Sequence, residues 1–292
     1  MKIGFIGLGK MGAVMAPHLV GEDIRLFGFD VNWQMPEDSP IQRVQSIDAL
    51  ADCEVIFTMV PDGEVVLDIA SQLIKARDGN GANALLIDMS SCHPDTAKKM
   101  HNLLATAQTA YLDAPVSGGV AKAKSAELMI MAGGQPEIYH WAEPLLAKMG
   151  RPAHIGPNGA GYAMKALNNY VSAAGLVSSF QALATAQKFG IAPEKFQTII
   201  NGSTGRNNTT EVKIDKFVLT QAFNSGFALQ LMAKDVGIAS DIIAQSGFDA
   251  PITQALADYL DDALEILQHS TDSAPDHTEI YRHITEFGMK RN

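Results

Sequence analysis

Through about residue 155, short β-rich apolar runs alternate with helical stretches, and this rhythm leaves few architectures open. The runs lie at residues 2–6, 24–29, 55–60, 84–88, 111–113 and 128–132, and the helical candidates at 11–21, 46–51, 63–76, 94–106 and 135–149. Strand, helix and strand in succession read as βαβ units, whose right-handed crossovers predict a doubly wound parallel sheet covered by helices.

The pattern changes after the turn Gly156-Pro157-Asn158-Gly159. From Ala160 onward the periodicity is helical and no strand is evident. The first helix of this part, at roughly 160–190, stops at Gly190 with Pro193 just beyond. At ~1.5 Å per residue it is long enough to connect two domains. Further helices are expected at 193–200, 209–220, 228–246, 251–267 and 277–289. The expected division is an α/β domain over 1–160 and an all-α domain over 161–292, the latter serving substrate binding and oligomerisation, joined by the long helix.

Composition narrows the function classes. A chain of 292 residues that is 47% hydrophobic and 18% charged buries a large core. Lys plus Arg number 22 against Asp plus Glu 32, and the excess of acid holds in both halves. No basic patch is available for a phosphate backbone, so nucleic-acid binding is set aside. The longest uncharged stretch, 166–187, carries Asn168, Asn169, Ser172, Ser178, Ser179, Gln181, Thr185 and Gln187. In lipid those groups would go unsatisfied, so the stretch reads as a helix buried in protein. Cys53 and Cys92 lack CxxC spacing, and the first residues show no export signal, which together point to a reduced cytoplasmic setting.

Gly7-Leu8-Gly9-Lys10-Met11-Gly12 fits G-x-G-x-x-G directly after an apolar strand and directly before a helical stretch. Such glycines permit a tight turn and close approach of a pyrophosphate, whose charge meets free N–H groups and the positive end of a helix dipole. This is the Rossmann-type arrangement; the bland alternative is a tight packing turn. Asp30, at the end of the second strand, can accept from the adenosine ribose hydroxyls and would repel a 2′-phosphate. Between Asp30 and Arg43 there is no Arg or Lys, so NAD is favoured, with NADP open through Arg43 folding back.

Val60-Pro61-Asp62 and Ser90-Ser91 follow apolar runs, where strand ends face the ligand crevice of an open parallel sheet, although Pro, Asp and Ser are also ordinary turn residues. In Asp113-Ala114-Pro115-Val116-Ser117-Gly118-Gly119 a hydroxyl precedes two glycines whose N–H groups can hold a carboxylate, or which simply need positive φ. Lys165, Asn169 and Ser172 share one face of the long helix at i, i+4 and i+7. Lys165 either snorkels to solvent or enters a cleft as a proton-transfer amine beside an oriented amide. Lys234-Asp235 read as a functional pair or as solvated helix-end charges, and Arg206 as a carboxylate ligand or a surface residue. No metal is expected: the eight histidines form no HExxH, and His277 with His283 lacks zinc spacing. There is no Gly-x-Ser-x-Gly elbow, and Cys92-His93 adjacency does not aim a base at a thiol.

Taken in order, residues 6–12, 113–119, 161–169 and 234–235 resemble four motifs of the β-hydroxyacid dehydrogenase family, which includes 3-hydroxyisobutyrate dehydrogenase, tartronate semialdehyde reductase and the glyoxylate/succinic semialdehyde reductases. The resemblance implies an NAD(P)-dependent oxidoreductase interconverting a short 3-hydroxy acid and its semialdehyde, as a homo-oligomer (dimer or tetramer). It implies Lys165 as acid/base with Asn169 in support, and Ser117, Gly118 and Gly119 as the loop holding a substrate carboxylate. It sets Val60, Pro61 and Ser91 along the nicotinamide and Lys234 near cofactor and substrate. The rival reading is a nicotinamide-nucleotide-binding module without catalysis, against which Lys165, Asn169 and Ser117 together argue.

Overall fold

The computed structural model describes residues 1–32, 36, 38–77, 84–104, 107, 109–270 and 273–288. The chain forms two compact units, Met1–Lys165 and Ala166–Asn292.

In the first unit the strands are β1 (Lys2–Ile6), β2 (Arg25–Phe29), β3 (Gln42–Arg43), β4 (Val55–Thr58), β5 (Ala84–Asp88), β6 (Thr109–Asp113), β7 (Val116–Ser117), β8 (Leu128–Gly133) and β9 (Gly150–Gly156). The helices are α1 (Gly12–Met15), α2 (Gly63–Ala76), α3 (Pro94–Leu104), α4 (Gly119–Lys124) and α5 (Pro136–Leu146). Among the described residues the sheet order is β3-β2-β1-β4-β5-β6-β8-β7, with β9 on β8.

From β3 to β6 every pairing is parallel. Side-chain alternation divides these strands between two cores. Ile3, Phe5, Val55, Phe57, Leu85 and Ile87 enter one, and Ile6, Ile56 and Leu86 the other. With both faces covered by helices, each strand is apolar at consecutive positions, which is why the runs are conspicuous in the sequence.

Beyond β6 the sheet departs from the expected all-parallel form. β8 runs antiparallel to β6 and to β7, and β9 is a strand that the sequence reading did not include. β6 and β7, with only Ala114 and Pro115 between them, run in the same direction and pair with successive parts of β8, which the chain reaches after α4. Two helical expectations also shorten. After α1 the chain tightens into a 3₁₀ turn, Ala16–Leu19, around Pro17, and is extended by Val20. The 46–51 candidate is a single 3₁₀ turn, Asp48–Leu50. The expected end of the 94–106 helix falls on residues outside those described; the helix is seen to Leu104.

The long helix, α6 (Ala160–Lys188), begins in the first unit and continues into the second. Gly190, at φ +76°, takes the left-handed position that ends it. The second unit continues with α7 (Pro193–Asn201), an eleven-residue segment in π register (Thr209–Leu219), α8 (Leu229–Gln245) and α9 (Pro251–Gln268). The single helix expected at 277–289 is instead a 3₁₀ turn, His277–Glu279, a short α10 (Ile280–Arg282) and a π turn, His283–Phe287; residue 289 lies outside the described residues. Phe180, Leu183, Ile214, Val236, Leu260 and Ile280 belong to one core in this unit.

Candidate active site

Five strand ends line up at one edge of the sheet. Ile6 is in register with Phe29 and Thr58, Thr58 with Asp88, and Asp88 with Asp113. The segments after these residues therefore leave the sheet side by side: the glycine loop, Asp30, Val60-Pro61, Ser90-Ser91 and the 114–119 loop. This is the carboxyl edge, where open α/β sheets bind ligands.

The glycine loop is explained by three different constraints. A side chain on Gly7, at φ +94°, would meet the Met59 carbonyl oxygen at 2.2 Å. One on Gly12 would lie 1.9 Å from the Gly7 carbonyl oxygen, so α1 packs directly on the turn. At Gly9 a Cβ would meet nothing within 4 Å, so the protein's own packing does not demand glycine there. Room for a pyrophosphate against the backbone accounts for it, and the residues present fit a dinucleotide. Leu8 is buried and Met11 half-buried, while Gly9 and Lys10 are exposed. Asp30 is tied into the same loop: the Leu8 amide donates to Oδ2 and the Asn32 amide to Oδ1, each at 2.7 Å.

Along the next strand ends, Val60 is half-buried and Pro61 is exposed. The Val60 amide donates to Ser90 Oγ at 2.9 Å. Asp62 is an ordinary cap, accepting from the Glu64 and Val65 amides at the start of α2. Ser91 is half-buried, whereas Ser90 is buried and donates through its hydroxyl to Asp88 at 2.6 Å.

Ser117 is in β7, opposite Met129, and is partly exposed. Gly118 (φ +139°) and Gly119 (φ +67°) both need the left-handed half of backbone space. A Cβ on Gly118 would lie 2.8 Å from Lys122 Cβ, while Gly119 faces open space, so packing accounts for the first glycine and not the second.

Lys165 is half-buried near the start of α6. That start is held by Asp113, whose Oδ1 accepts from the Gly159 amide at 2.7 Å and whose Oδ2 accepts from the Tyr162 amide at 3.1 Å. Burial raises the Asp113 carboxyl to about 6, against the pull of these amides.

In the second unit, Asn169 is buried and donates to Asp235 Oδ2 at 2.5 Å, while its own Oδ1 accepts from Asn168 at 3.0 Å. Asp235 lies inside α8 and is 1% exposed, so it is no solvated helix-end charge. Lys234 beside it is half-buried. Arg206 is exposed and pairs with Glu211 at 3.6 Å.

The sequence assigns no individual role to Asp88, Asp113 or Tyr162, and points to Ser90 and Asp235 only together with their neighbours Ser91 and Lys234. The available signal was an acid closing an apolar strand, as Asp88 and Asp113 both do. Among the described residues no group of three His, Cys, Asp or Glu is arranged to hold a metal, and no helix is long and apolar enough to cross a membrane.

Comparison with known proteins bears on this geometry. Residues 2–161 match the family model of the NAD-binding domain of 6-phosphogluconate dehydrogenase, and residues 159–284 match that described as the NAD-binding region of NADP-dependent 3-hydroxyisobutyrate dehydrogenase. The chain is 33% identical to 2-(hydroxymethyl)glutarate dehydrogenase of Eubacterium barkeri, covering 87% of this chain and 86% of that protein. It is 33% identical to NAD-dependent L-serine dehydrogenase of Pseudomonas aeruginosa, covering 86% and 88%. Among solved structures, Mycobacterium tuberculosis 3-hydroxyisobutyrate dehydrogenase with L-serine superimposes with a TM-score of 0.80 at 30% identity, covering 97% of this chain and 98% of that one. Two family models spanning nearly the whole chain, on a glycine loop and strand-end edge suited to a dinucleotide, make this chain a member of the β-hydroxyacid dehydrogenase family of NAD(P)-dependent oxidoreductases.

Proposed function

We propose that the chain interconverts a short 3-hydroxy acid, of the size of 3-hydroxyisobutyrate, and its semialdehyde, with NAD preferred over NADP. The observation that carries this reading is the anchoring of the Lys165-bearing helix start, through Asp113, to the strand-end edge from which the glycine loop also leaves. The first unit is assigned to the cofactor, through Gly7, Leu8, Gly9, Lys10, Met11, Gly12 and Asp30, with Val60, Pro61 and Ser91 along the nicotinamide. The family resemblance assigns Asn169 to substrate and Lys234 to cofactor binding.

Bound nicotinamide supplies the hydride acceptor for oxidation and the donor for reduction. In oxidation Lys165 takes the substrate hydroxyl proton as the carbinol hydrogen leaves with its electron pair; in reduction the Lys165 ammonium returns a proton to the new alkoxide. Asn169, its orientation set by Asp235 and Asn168, supports the same group. Ser117 with the Gly118 and Gly119 amides takes the substrate carboxylate. This selects hydroxy acids over neutral alcohols by charge-assisted hydrogen bonds.

A homo-oligomer in a reducing cytoplasm belongs to the same reading. Val171 and Phe189, both on or beside α6, are 67% and 81% exposed, the kind of apolar surface an interface covers. Neither Cys53 nor Cys92 is in a disulfide.

The test is a panel of short hydroxy acids and semialdehydes with NAD(H) and NADP(H), followed at the nicotinamide absorbance, on wild type and Lys165→Met. The substitution keeps the apolar stem and removes the amine. NADH binding should persist while kcat falls ~10²–10⁴-fold, the usual worth of a general acid/base. Lys165→Arg should not restore turnover, since guanidinium does not deprotonate. Retained turnover in Lys165→Met would remove Lys165 from the chemistry, and binding without turnover in wild type would favour the non-catalytic alternative.

A further inference from the structure

Asp88 closes β5 and is fully buried. A carboxyl in that position is expensive, and an apolar side chain of similar size would satisfy the sheet. The groups that gather on it come from three segments of the first unit. Thr58, at the end of β4, donates to Oδ1 at 2.5 Å. Ser90, in the loop after β5, donates to Oδ1 through Oγ at 2.6 Å and through its amide at 3.2 Å. Cys92 Sγ lies 3.6 Å from Oδ2. Tyr162, in the first turn of α6, donates its phenol to Oδ2 at 2.5 Å. Tyr111, from β6, in turn meets the Tyr162 oxygen at 2.5 Å. Burial and the neighbouring Asp88 charge keep both phenols well above their usual pKa, so both remain protonated donors.

The two arms of this array lead to the two halves of the proposed reaction. Through Ser90, whose Oγ accepts the Val60 amide at 2.9 Å, Asp88 fixes the loop assigned to the nicotinamide. Through Tyr162 it fixes the helix turn three residues before Lys165. Tyr162 is held at both ends, its phenol by Asp88 and its amide by Asp113, the two acids that lie in register on adjacent strands. Residues three apart share a flank of an α-helix, so rotation of the turn at Tyr162 carries Lys165 with it.

Resting on the reading of Lys165 as the acid/base, we propose that Asp88, acting through Tyr162 and Ser90, is the positioning residue that holds Lys165 and the Val60–Pro61 loop in fixed mutual register. Displacements of about an ångström at a proton-transfer group cost large factors in rate, which is what a charge buried at this cost protects against.

The test uses the full-length enzyme with 3-hydroxyisobutyrate and NAD, and hydrogen exchange by mass spectrometry, which needs no substrate. Tyr162→Phe keeps the ring and removes the phenol; Tyr111→Phe removes the outer hydroxyl and leaves the Tyr162–Asp88 bond. Tyr162→Phe should lower kcat about tenfold or more with KM little changed, and speed amide exchange in residues 159–165 about tenfold. Tyr111→Phe should stay within about twofold on both. Ser90→Ala should weaken NADH binding, measured by fluorescence, about tenfold.

Unchanged exchange over 159–165 in Tyr162→Phe, or equal losses in the two tyrosine variants, would overturn the proposal and leave a packing role. If Tyr162→Phe does not fold, Asp88→Asn, which keeps the shape and removes the charge, replaces it with the same expected losses; normal kcat and exchange there would also overturn the proposal. Should Lys165→Met retain turnover, the reading of Lys165 falls by itself, while the exchange measurement still decides whether Asp88 orders this turn.

Discussion

The side-chain amide of Asn169 donates to the Asp235 carboxylate at 2.5 Å, with both residues buried, which sets the Asn169 carbonyl toward Asn168. Removing the amide takes a donor from a buried carboxylate. Asn169→Ala should therefore cost roughly 1–3 kcal/mol, read as a fall in Tm of several degrees, together with a loss of turnover. Asn169→Asp should be worse at pH 8 than at pH 5, because two carboxyls at this distance cannot both ionise. Equal Tm values at the two pH values would show that the pair is not in close contact in solution.

The glycine loop separates fold from ligand binding in two substitutions. Gly12→Ala forces a methyl to within 1.9 Å of the Gly7 carbonyl oxygen, so the turn must open, and both Tm and NADH affinity should fall. Gly9→Ala adds a methyl that meets no protein atom within 4 Å. It should leave stability within about 0.5 kcal/mol of wild type, the ordinary surface range, while weakening NADH binding measured by fluorescence. Unaltered NADH affinity in Gly9→Ala would mean that the pyrophosphate does not approach this backbone.

Asp30 should make kcat/KM with NADH exceed that with NADPH, since a 2′-phosphate beside a carboxylate is repelled. Asp30→Ser should narrow the ratio. Because the carboxylate also holds the Leu8 and Asn32 amides, the same change should lower affinity for both cofactors. A native preference for NADPH would refute the role given to Asp30.

The two units should respond to acid with opposite signs. In the second, burial and the Lys213 charge push the His277 imidazole down to about 4, with Asp276 and the Phe227 carbonyl opposing. Between pH 6.5 and about 4 the unfolded chain binds a proton that the folded chain refuses, so stability falls as pH falls, by roughly 3 kcal/mol at most. In the first, Asp113 sits at about 6 against an unfolded value of 3.8. There the folded chain holds the proton, and stability is lost as pH rises through about 6, by a similar amount. On lowering pH from 7 to 5, hydrogen-exchange protection, taken relative to the intrinsic rate at each pH, should rise around residues 109–113 and 159–162 and fall around residues 225–227 and 276–283. His277→Gln should abolish the second change; a uniform loss of protection would contradict the Asp113 assignment, and a uniform gain the His277 assignment.

The extent to which the site was legible in the sequence follows the distance over which each contact acts. Gly12 packs on the Gly7 carbonyl across five residues, so that spacing carries the turn directly. Asp30 is readable because a strand's last residue is marked by the end of an apolar run. Lys165 and Asn169 stand out as polar groups on one face of a nearly uncharged helix. For Asp62, turn chemistry accounts for the residue, as its cap contacts show.

The amino-acid sequence by itself determined the alternation of strands and helices, the dinucleotide loop and the helical second half, because helix period, strand burial and turn geometry are local properties. Tertiary structure alone decided the antiparallel edge made by β7 and β8, the added strand β9, and the partners of the buried acids. Asp88 meets Tyr162 across 74 residues and Asn169 meets Asp235 across 66. A carboxylate's cost of burial is offset only by donors that folding brings to it, and no periodicity along the chain records which donors those are.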